Sequence, residues 1–245
     1  MQSNEIRTKE RTSAMKIVID PSISYVINGR LRMYRKDFLS VCGPVLSFPR
    51  NTILSRSGEE TGRLFYLLDG IVKVYTTNPS GHLRILGYHQ KDSLFALDCL
   101  CPGETALVNT QSVTAVKVLP ATTAQLRAVQ QRQPGFWEDL SRYYCSLLRL
   151  MCFDAESNSV CDTAARLATF LCLFQRHNES EHHLNSGKIC LTQEELASAV
   201  NASRIQIARI CADFRQRGLI ACSRGAITIL DSEGLLRMSH YQKET

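Results

Sequence analysis

The 245-residue chain has no apolar run approaching the length of a membrane span, and no long apolar stretch follows its basic N-terminal residues. With neither a span nor a secretory signal, the protein is expected in the cytoplasm, without a membrane partner. It also lacks the local patterns that chemistry requires: there is no nucleophile elbow, no Walker loop and no motif with metal-ligand spacing. Catalysis therefore has no candidate residues, and neither an enzyme nor a metal site is expected. The ten cysteines are scattered rather than patterned. In a reducing compartment they are expected to remain thiols.

The net charge of +6 invites a nucleic-acid reading, so its location matters. Residues 1–36 carry eight basic and three acidic residues, residues 37–160 carry eleven of each, and residues 161–245 carry ten and nine. Most of the excess is therefore N-terminal. Within Lys188 to Gly225 there are six basic residues and three acidic ones, a local patch that suits phosphate contact.

That patch surrounds the most informative stretch, Leu191 to Ile220. Thr192 with Glu195, and Ser203 with Gln206, each read as a capping box that satisfies the free N–H groups opening a helix. Between them Asn201 is one of the few residues that adopts the left-handed conformation cheaply, so the chain can turn there. In the second helix Ile207, Ile210, Cys211 and Phe214 form one stripe that must face a core. Ile205 and Arg209 come out nearly opposite that stripe at about 100° per residue. An apolar side chain and a guanidinium pointing outward together fit a recognition helix: arginine to guanine or phosphate, Gln206 to adenine or phosphate, isoleucine to thymine methyls. The plain alternative is a two-helix hairpin with a solvated basic face. Gly218 ends the helix, and Leu219 to Cys222, a turn at Arg224-Gly225, and Ala226 to Leu230 read as a two-stranded wing.

This winged helix-turn-helix resembles the C-terminal domain of the Crp/Fnr family of bacterial transcription regulators. Leu191-Thr192, the run Glu194 to Ala197, Val200, Ser203-Arg204, Ile207 to Ile210 and Gly218 to Ile220 carry the resemblance. The residues expected to face DNA are Thr192, Gln193, Ser203, Arg204, Ile205, Gln206 and Arg209. Many members of the family have glutamate where Ile205 stands, accepting from cytosine; isoleucine cannot accept, so a thymine is expected there.

From Val45 short β-type runs alternate with turns: Thr52 to Leu54, Leu64 to Leu68, Ile71 to Thr76, Leu83 to Tyr88 and Val113 to Leu119. Asp69-Gly70 reads as a hairpin turn and Asn78 to Gly81 as another. Such texture predicts a compact β-roll or barrel. The run Leu64 to Tyr75, with Ser55 to Glu60 before it, resembles the family's effector domain, a jelly roll related to cyclic-nucleotide-binding domains. After Pro134, apolar residues at Phe136, Leu140, Tyr143/Tyr144, Leu147, Leu150/Met151 and Ala155 predict a long helix with one seam, and Ser157 to Asp162 reads as a hinge. The resemblance makes it the helix of a homodimer on a pseudo-palindromic site. The expected α+β organisation is a basic arm over 1–35, a cyclic-nucleotide-binding-like roll over 36–132, a dimerisation helix over 133–160, and a winged helix-turn-helix over 161–245. Double-stranded DNA is the expected partner, with RNA polymerase if the protein activates.

The family's cyclic-nucleotide cassette pairs Gly-Glu with a following Arg-Ser or Arg-Ala. Gly103-Glu104 is present, but no arginine lies between Arg84 and Arg127. A buried phosphate without a cation is costly, so cAMP and cGMP are not expected. Cluster-bearing relatives hold cysteines near the N-terminus, where this chain has none before Cys42; the close pair Cys99 and Cys101 leaves a redox disulfide open, and His82 and His89 are isolated haem candidates. A gas- or redox-responsive regulator, and a sensory module that does not bind DNA, are the alternatives. No cofactor is expected; the expected effector is a small organic molecule between roll and long helix, lined by Tyr88, Phe95, Tyr143, Tyr144 and Leu147. This region looks most like the family branch that senses halogenated aromatics, in which a lysine on the long helix pairs with a phenolate. Leu147 stands at that position, so a neutral aromatic or other apolar effector is expected.

Overall fold

The structure, a computed structural model, describes residues 17–18, 23–60, 62–101, 103–179, 188–223, 225–239 and 241–242; residues 17–18, 99, 176–179 and 241–242 are described by their backbone alone. Residues 1–16 and 19–22 of the arm expected over 1–35, residues 180–187, and Arg224 of the expected wing turn lie outside the described residues.

Strands β1 (Ile17–Val18), β2 (Val26–Ile27) and helix α1 (Arg35–Val41) precede a run of eight strands. These are β3 (Leu46–Phe48), β4 (Ile53–Ser55), β5 (Leu64–Asp69), β6 (Val72–Thr77), β7 (Leu83–His89), β8 (Ser93–Phe95), β9 (Asn109–Ser112) and β10 (Val116–Ala121). Together with β2 they build two sheets, ordered β3-β10-β5-β8 and β2-β7-β6-β9-β4, which face each other as the expected roll. Helices α2 (Thr123–Arg132), α3 (Phe136–Val160) and α4 (Thr163–Glu179) follow. The chain continues through β11 (Lys188–Ile189), α5 (Gln193–Ala199), α6 (Arg204–Gln216), β12 (Ile220–Ser223), β13 (Ala226–Ile229), α7 (Ser232–Met238) and β14 (Tyr241–Gln242), the last pairing in parallel with β1.

Several expectations are corrected. Residues 23–35 are not part of an arm: Ile23, Tyr25, Val26, Ile27, Leu31 and Tyr34 are buried, and β2 pairs with β7. These apolar residues are core, disguised in the sequence by the basic residues around them. Asp69-Gly70 is not a hairpin turn, because β5 pairs with β10 and β8 whereas β6 pairs with β7 and β9. It is the corner where the chain leaves one sheet for the other. Gly70 has φ +91°, and a β-carbon on it would sit 2.3 Å from the Ala115 carbonyl oxygen, so both conformation and space require glycine. The Asn78–Gly81 turn does close a hairpin, β6 against β7, with the Asn78 N–H donating to the His82 carbonyl.

Helix α2, with a Thr122/Gln125 capping box, and helix α7 were not anticipated. Helix α3 begins at Phe136 rather than at Pro134 and runs to Val160, leaving two residues, Cys161 and Asp162, as the connection to α4. Asp162 caps α4 by accepting from the Ala165 N–H. Most of the anticipated seam of α3, Phe136, Leu140, Tyr143 and Leu150, is buried against the chain's own core, while Tyr144 and Ala155 lie on the exposed side. One apolar cluster joins the roll to the C-terminal unit, with Tyr25 against Phe170 and Tyr88 against Phe174 at ring-centroid distances of 4.9 and 5.5 Å.

Candidate nucleic-acid interface

Both capping boxes form. Thr192 Oγ1 accepts from the Glu195 N–H while Glu195 returns a carboxylate oxygen to the Thr192 N–H, and Ser203 with Gln206 does the same. Asn201, φ +53°, makes the turn between α5 and α6. The inward stripe of α6 is buried at Ile207, Cys211 and Phe214, which fixes the helix by its rear face. Arg204, Ile205, Gln206 and Arg209 are all exposed on the other side, Ile205 by 66%. A large apolar residue left this open, beside two arginines that have no ion-pair partner among the described residues, is what separates this helix from an ordinary solvated one.

Thr192 and Gln193 are exposed at the start of α5, and together with Arg204 they line a cleft of 390 Å³ that reaches the wing at Cys222, Ser223 and Gly225. The seven residues expected to face DNA thus fall on the openings of two adjacent helices beside the wing. Gln206 carries a constraint: its Oε1 accepts from the Ser203 N–H and hydroxyl, leaving only its amide N–H groups for other partners. The wing has a third strand, β11, not foreseen in the sequence, giving the order β11-β13-β12.

Arg166 also escaped the sequence reading. From α4 it donates to the Cys161 carbonyl (2.7 Å), the Val200 carbonyl (3.0 Å) and the Asn201 carbonyl (3.4 Å), tying the connection after α3 to the turn of the helix-turn-helix. Its one signal in the sequence is a guanidinium between Ala165 and Leu167 on an otherwise apolar helix face.

The five residues expected to line an effector pocket are not brought together. Tyr144 is exposed, Leu147 is half-buried, and Phe95 stacks on Phe65 inside the roll at 5.3 Å. Tyr88 turns toward Phe174 of α4. Tyr143 is buried, and its hydroxyl donates to the Leu94 carbonyl while accepting from the Leu94 N–H. With that proton committed, the 3.1 Å contact to His89 requires His89 Nδ1 to be the donor. Where the ligand is expected, the Tyr143 hydroxyl is thus taken up by the Leu94 backbone and by His89.

His89 has no compensating charge, and burial pushes its pKa down to about 4. Below the ordinary histidine value the unfolded chain takes up a proton that the folded chain refuses, so stability is fully present above about pH 6.5 and falls as the solution is acidified toward pH 4. Between pH 8 and pH 5 the loss from this group is about 2 kcal/mol. Urea denaturation of wild type and His89→Gln at both pH values checks this: the variant should lose less on acidification by that amount, and equal losses would remove His89 from the account. His82 is exposed and far from this arrangement in character. Cys101 is exposed as a free thiol, and the Cys99 side chain lies outside the described residues. Among the described residues no three His, Cys, Asp or Glu side chains are grouped as a metal ion needs, and no helix is long and apolar enough to cross a membrane.

Residues 45–133 match the model of the cyclic nucleotide-binding domain, and residues 165–238 match that of the Crp-like helix-turn-helix domain. A CRP-like cAMP-activated global transcriptional regulator from Mycobacterium tuberculosis is 30% identical over 194 residues, covering 78% of this chain and 86% of that protein. Among solved structures, the c-di-GMP responsive global regulator CLP of Xanthomonas campestris superposes with a TM-score of 0.71 at 18% identity, covering 81% of this chain and 98% of that one. A cysteine-to-serine form of CprK complexed with OCPA gives 0.68 at 13% identity, covering 88% and 97%; these two show likeness of fold. With a cyclic-nucleotide-binding-like roll followed by a Crp-like helix-turn-helix, and homologues that are transcriptional regulators rather than enzymes, the chain belongs to the Crp/Fnr family of transcription regulators.

Proposed function

We propose that the protein is a homodimeric regulator that binds a pseudo-palindromic duplex site through α6 and is controlled by a small molecule other than a cyclic nucleotide. The observation that carries the DNA reading is the outward face of α6, where Arg204, Ile205, Gln206 and Arg209 are exposed together. Arg209 is assigned to a guanine edge and Ile205 to a thymine methyl. Gln206, with its acceptor oxygen committed to Ser203, fits a phosphate better than adenine, which needs donor and acceptor from one amide. Where binding leads to activation, RNA polymerase is the further partner.

Against a cyclic nucleotide stands the cassette itself: Glu104 is exposed. Arg84, the arginine that precedes it in sequence, is committed to Asp154 at 2.5 Å. The dimer reading is supported by the exposed apolar stripe of α3.

Selection of duplexes from a random pool, followed by anisotropy titration, tests the DNA reading. Arg209→Ala should lose about 1–3 kcal/mol on the selected site and relax the preference at one base pair in each half-site. A uniform loss on every sequence would make Arg209 a phosphate contact, and no selected sequence at all would remove the reading.

A further inference from the structure

We propose that the cleft between β7 and the entrance to the helix-turn-helix is an effector site for a small monocarboxylate with an apolar body. This rests on the reading of the chain as a ligand-controlled DNA-binding regulator and supplies that reading with a site. The cleft encloses 260 Å³, and its walls come from both parts of the chain. Tyr88, Gln90 and Arg50 belong to the roll; Phe174, Lys188 and Leu191 belong to the DNA-binding unit.

Three features point to a ligand of that chemistry. Phe174 and Leu191 are buried, and with the Tyr88 ring they give the cleft an apolar floor. The Tyr88 hydroxyl is closed off behind that wall and has no hydrogen-bond partner among the described residues, so a ligand that accepts from it must draw the hydroxyl toward the cleft. Burial, with a smaller contribution from Glu195, holds it firmly in the neutral, donating form. Arg50 of the roll and Lys188 of the DNA-binding unit line the same cleft, exposed and without an ion-pair partner among the described residues. A carboxylate between them would neutralise two like charges and accept from the tyrosine, while its apolar body takes the floor. Glu195 does not serve: its Oε2 takes the Thr192 N–H and hydroxyl, and neither of its oxygens is hydrogen-bonded to the Tyr88 hydroxyl.

The position also gives the ligand leverage. Leu191 immediately precedes Thr192, the N-cap of α5, and Phe174 lies on α4, the first helix after the connection from α3. A molecule held by Arg50 and Lys188 at once prefers the arrangement in which roll and DNA-binding unit are packed together, and by linkage it shifts the affinity for DNA to the extent that DNA binding favours one arrangement over another. Tyr88, expected as an effector contact between the roll and α3, takes that role in the cleft beside Phe174 of α4.

Full-length protein is titrated with benzoate, phenylacetate and hexanoate, with benzamide as the uncharged counterpart, and read by thermal shift and calorimetry. At least one carboxylate should bind and raise Tm, and benzamide should not. Tyr88→Phe should weaken that carboxylate about tenfold while leaving the ligand-free Tm unchanged or raised, because it removes an unsatisfied hydroxyl and keeps the ring. Arg50→Gln and Lys188→Gln, both at exposed positions, should each weaken it about tenfold or more. Absence of binding by all three carboxylates overturns the proposal, as does binding that survives the Arg50→Gln/Lys188→Gln double variant. DNA affinity is measured in parallel on the selected duplex. A carboxylate that binds the cleft of a protein selecting no duplex would sink the regulator reading and leave the site; a duplex bound with no carboxylate effect would sink the site and leave the regulator.

Discussion

Arg84→Met is expected to lower the unfolding free energy by about 3 kcal/mol, near the lower end of what breaking a buried ion pair costs. Arg84 on β7 and Asp154 on α3 are only 14% and 15% exposed, and one guanidinium nitrogen lies 2.6 and 2.5 Å from the two carboxylate oxygens. The Tyr25 hydroxyl donates to the same carboxylate at 3.0 Å. Removing the guanidinium leaves Asp154 with that single donor in a poorly solvated position. The penalty comes from the stranded charge rather than from the lost attraction, so the direction of a second substitution is fixed too. Arg84→Met/Asp154→Leu should recover most of the loss, because no charge remains to be solvated. Urea denaturation of the two single variants and the double variant closes the cycle. If the double variant is as unstable as Arg84→Met alone, packing of the arginine stem, and not the stranded carboxylate, accounts for the effect.

The helix-turn-helix was readable from sequence because each signal in it is local. Thr192 with Glu195, Ser203 with Gln206, and Asn201 between them act within one turn of themselves, and the structure shows both boxes and the left-handed residue. The roll was readable as a texture but not as a topology. Asp69-Gly70 reports a positive-φ glycine correctly, yet a dipeptide cannot say whether the next strand pairs with the last one or crosses to another sheet. Residues 23–34 fail for a related reason: two residues of β2 are too few to show a period, and their burial depends on β7, about sixty residues further on. The effector pocket was the least readable. Tyr88, Phe95 and Tyr143 all have the composition of a binding site, and which of them faces a cavity is decided by long-range packing. Tyr88 reaches a cleft because α4 comes to rest against β7; Tyr143 does not, because Leu94 and His89 take up its hydroxyl.

Leu148→Glu is expected to abolish the proposed dimer at micromolar concentration and, with it, high-affinity binding to the proposed full duplex site. Helix α3 presents two apolar stripes. One, through Phe136, Leu140, Tyr143, Leu150 and Phe153, is buried against the chain itself. The other, through Trp137, Tyr144, Leu148 and Cys152, runs along the outside, with Leu148 63% exposed. Its spacings of seven, four and four residues keep to one side of a helix, and Glu138, Arg142, Arg149 and Glu156 form a separate charged stripe beside it. A second copy packed along the outer stripe about a two-fold axis would bring Leu148 close to its own counterpart, so one substitution places two carboxylates together in a dry seam. Dimer dissociation should rise by about a hundredfold or more, equivalent to about 2.7 kcal/mol, and each DNA-binding unit then holds its half-site alone, without the gain from a linked second contact. Leu148 is solvent-exposed in the single chain, so the variant should keep the wild-type circular dichroism spectrum; Arg149→Glu, on the charged stripe, should remain dimeric. Sedimentation equilibrium with anisotropy on full and half sites decides the matter. A dimeric Leu148→Glu would move the interface off α3, and the spacing between two recognition helices would then have to come from another surface of the roll.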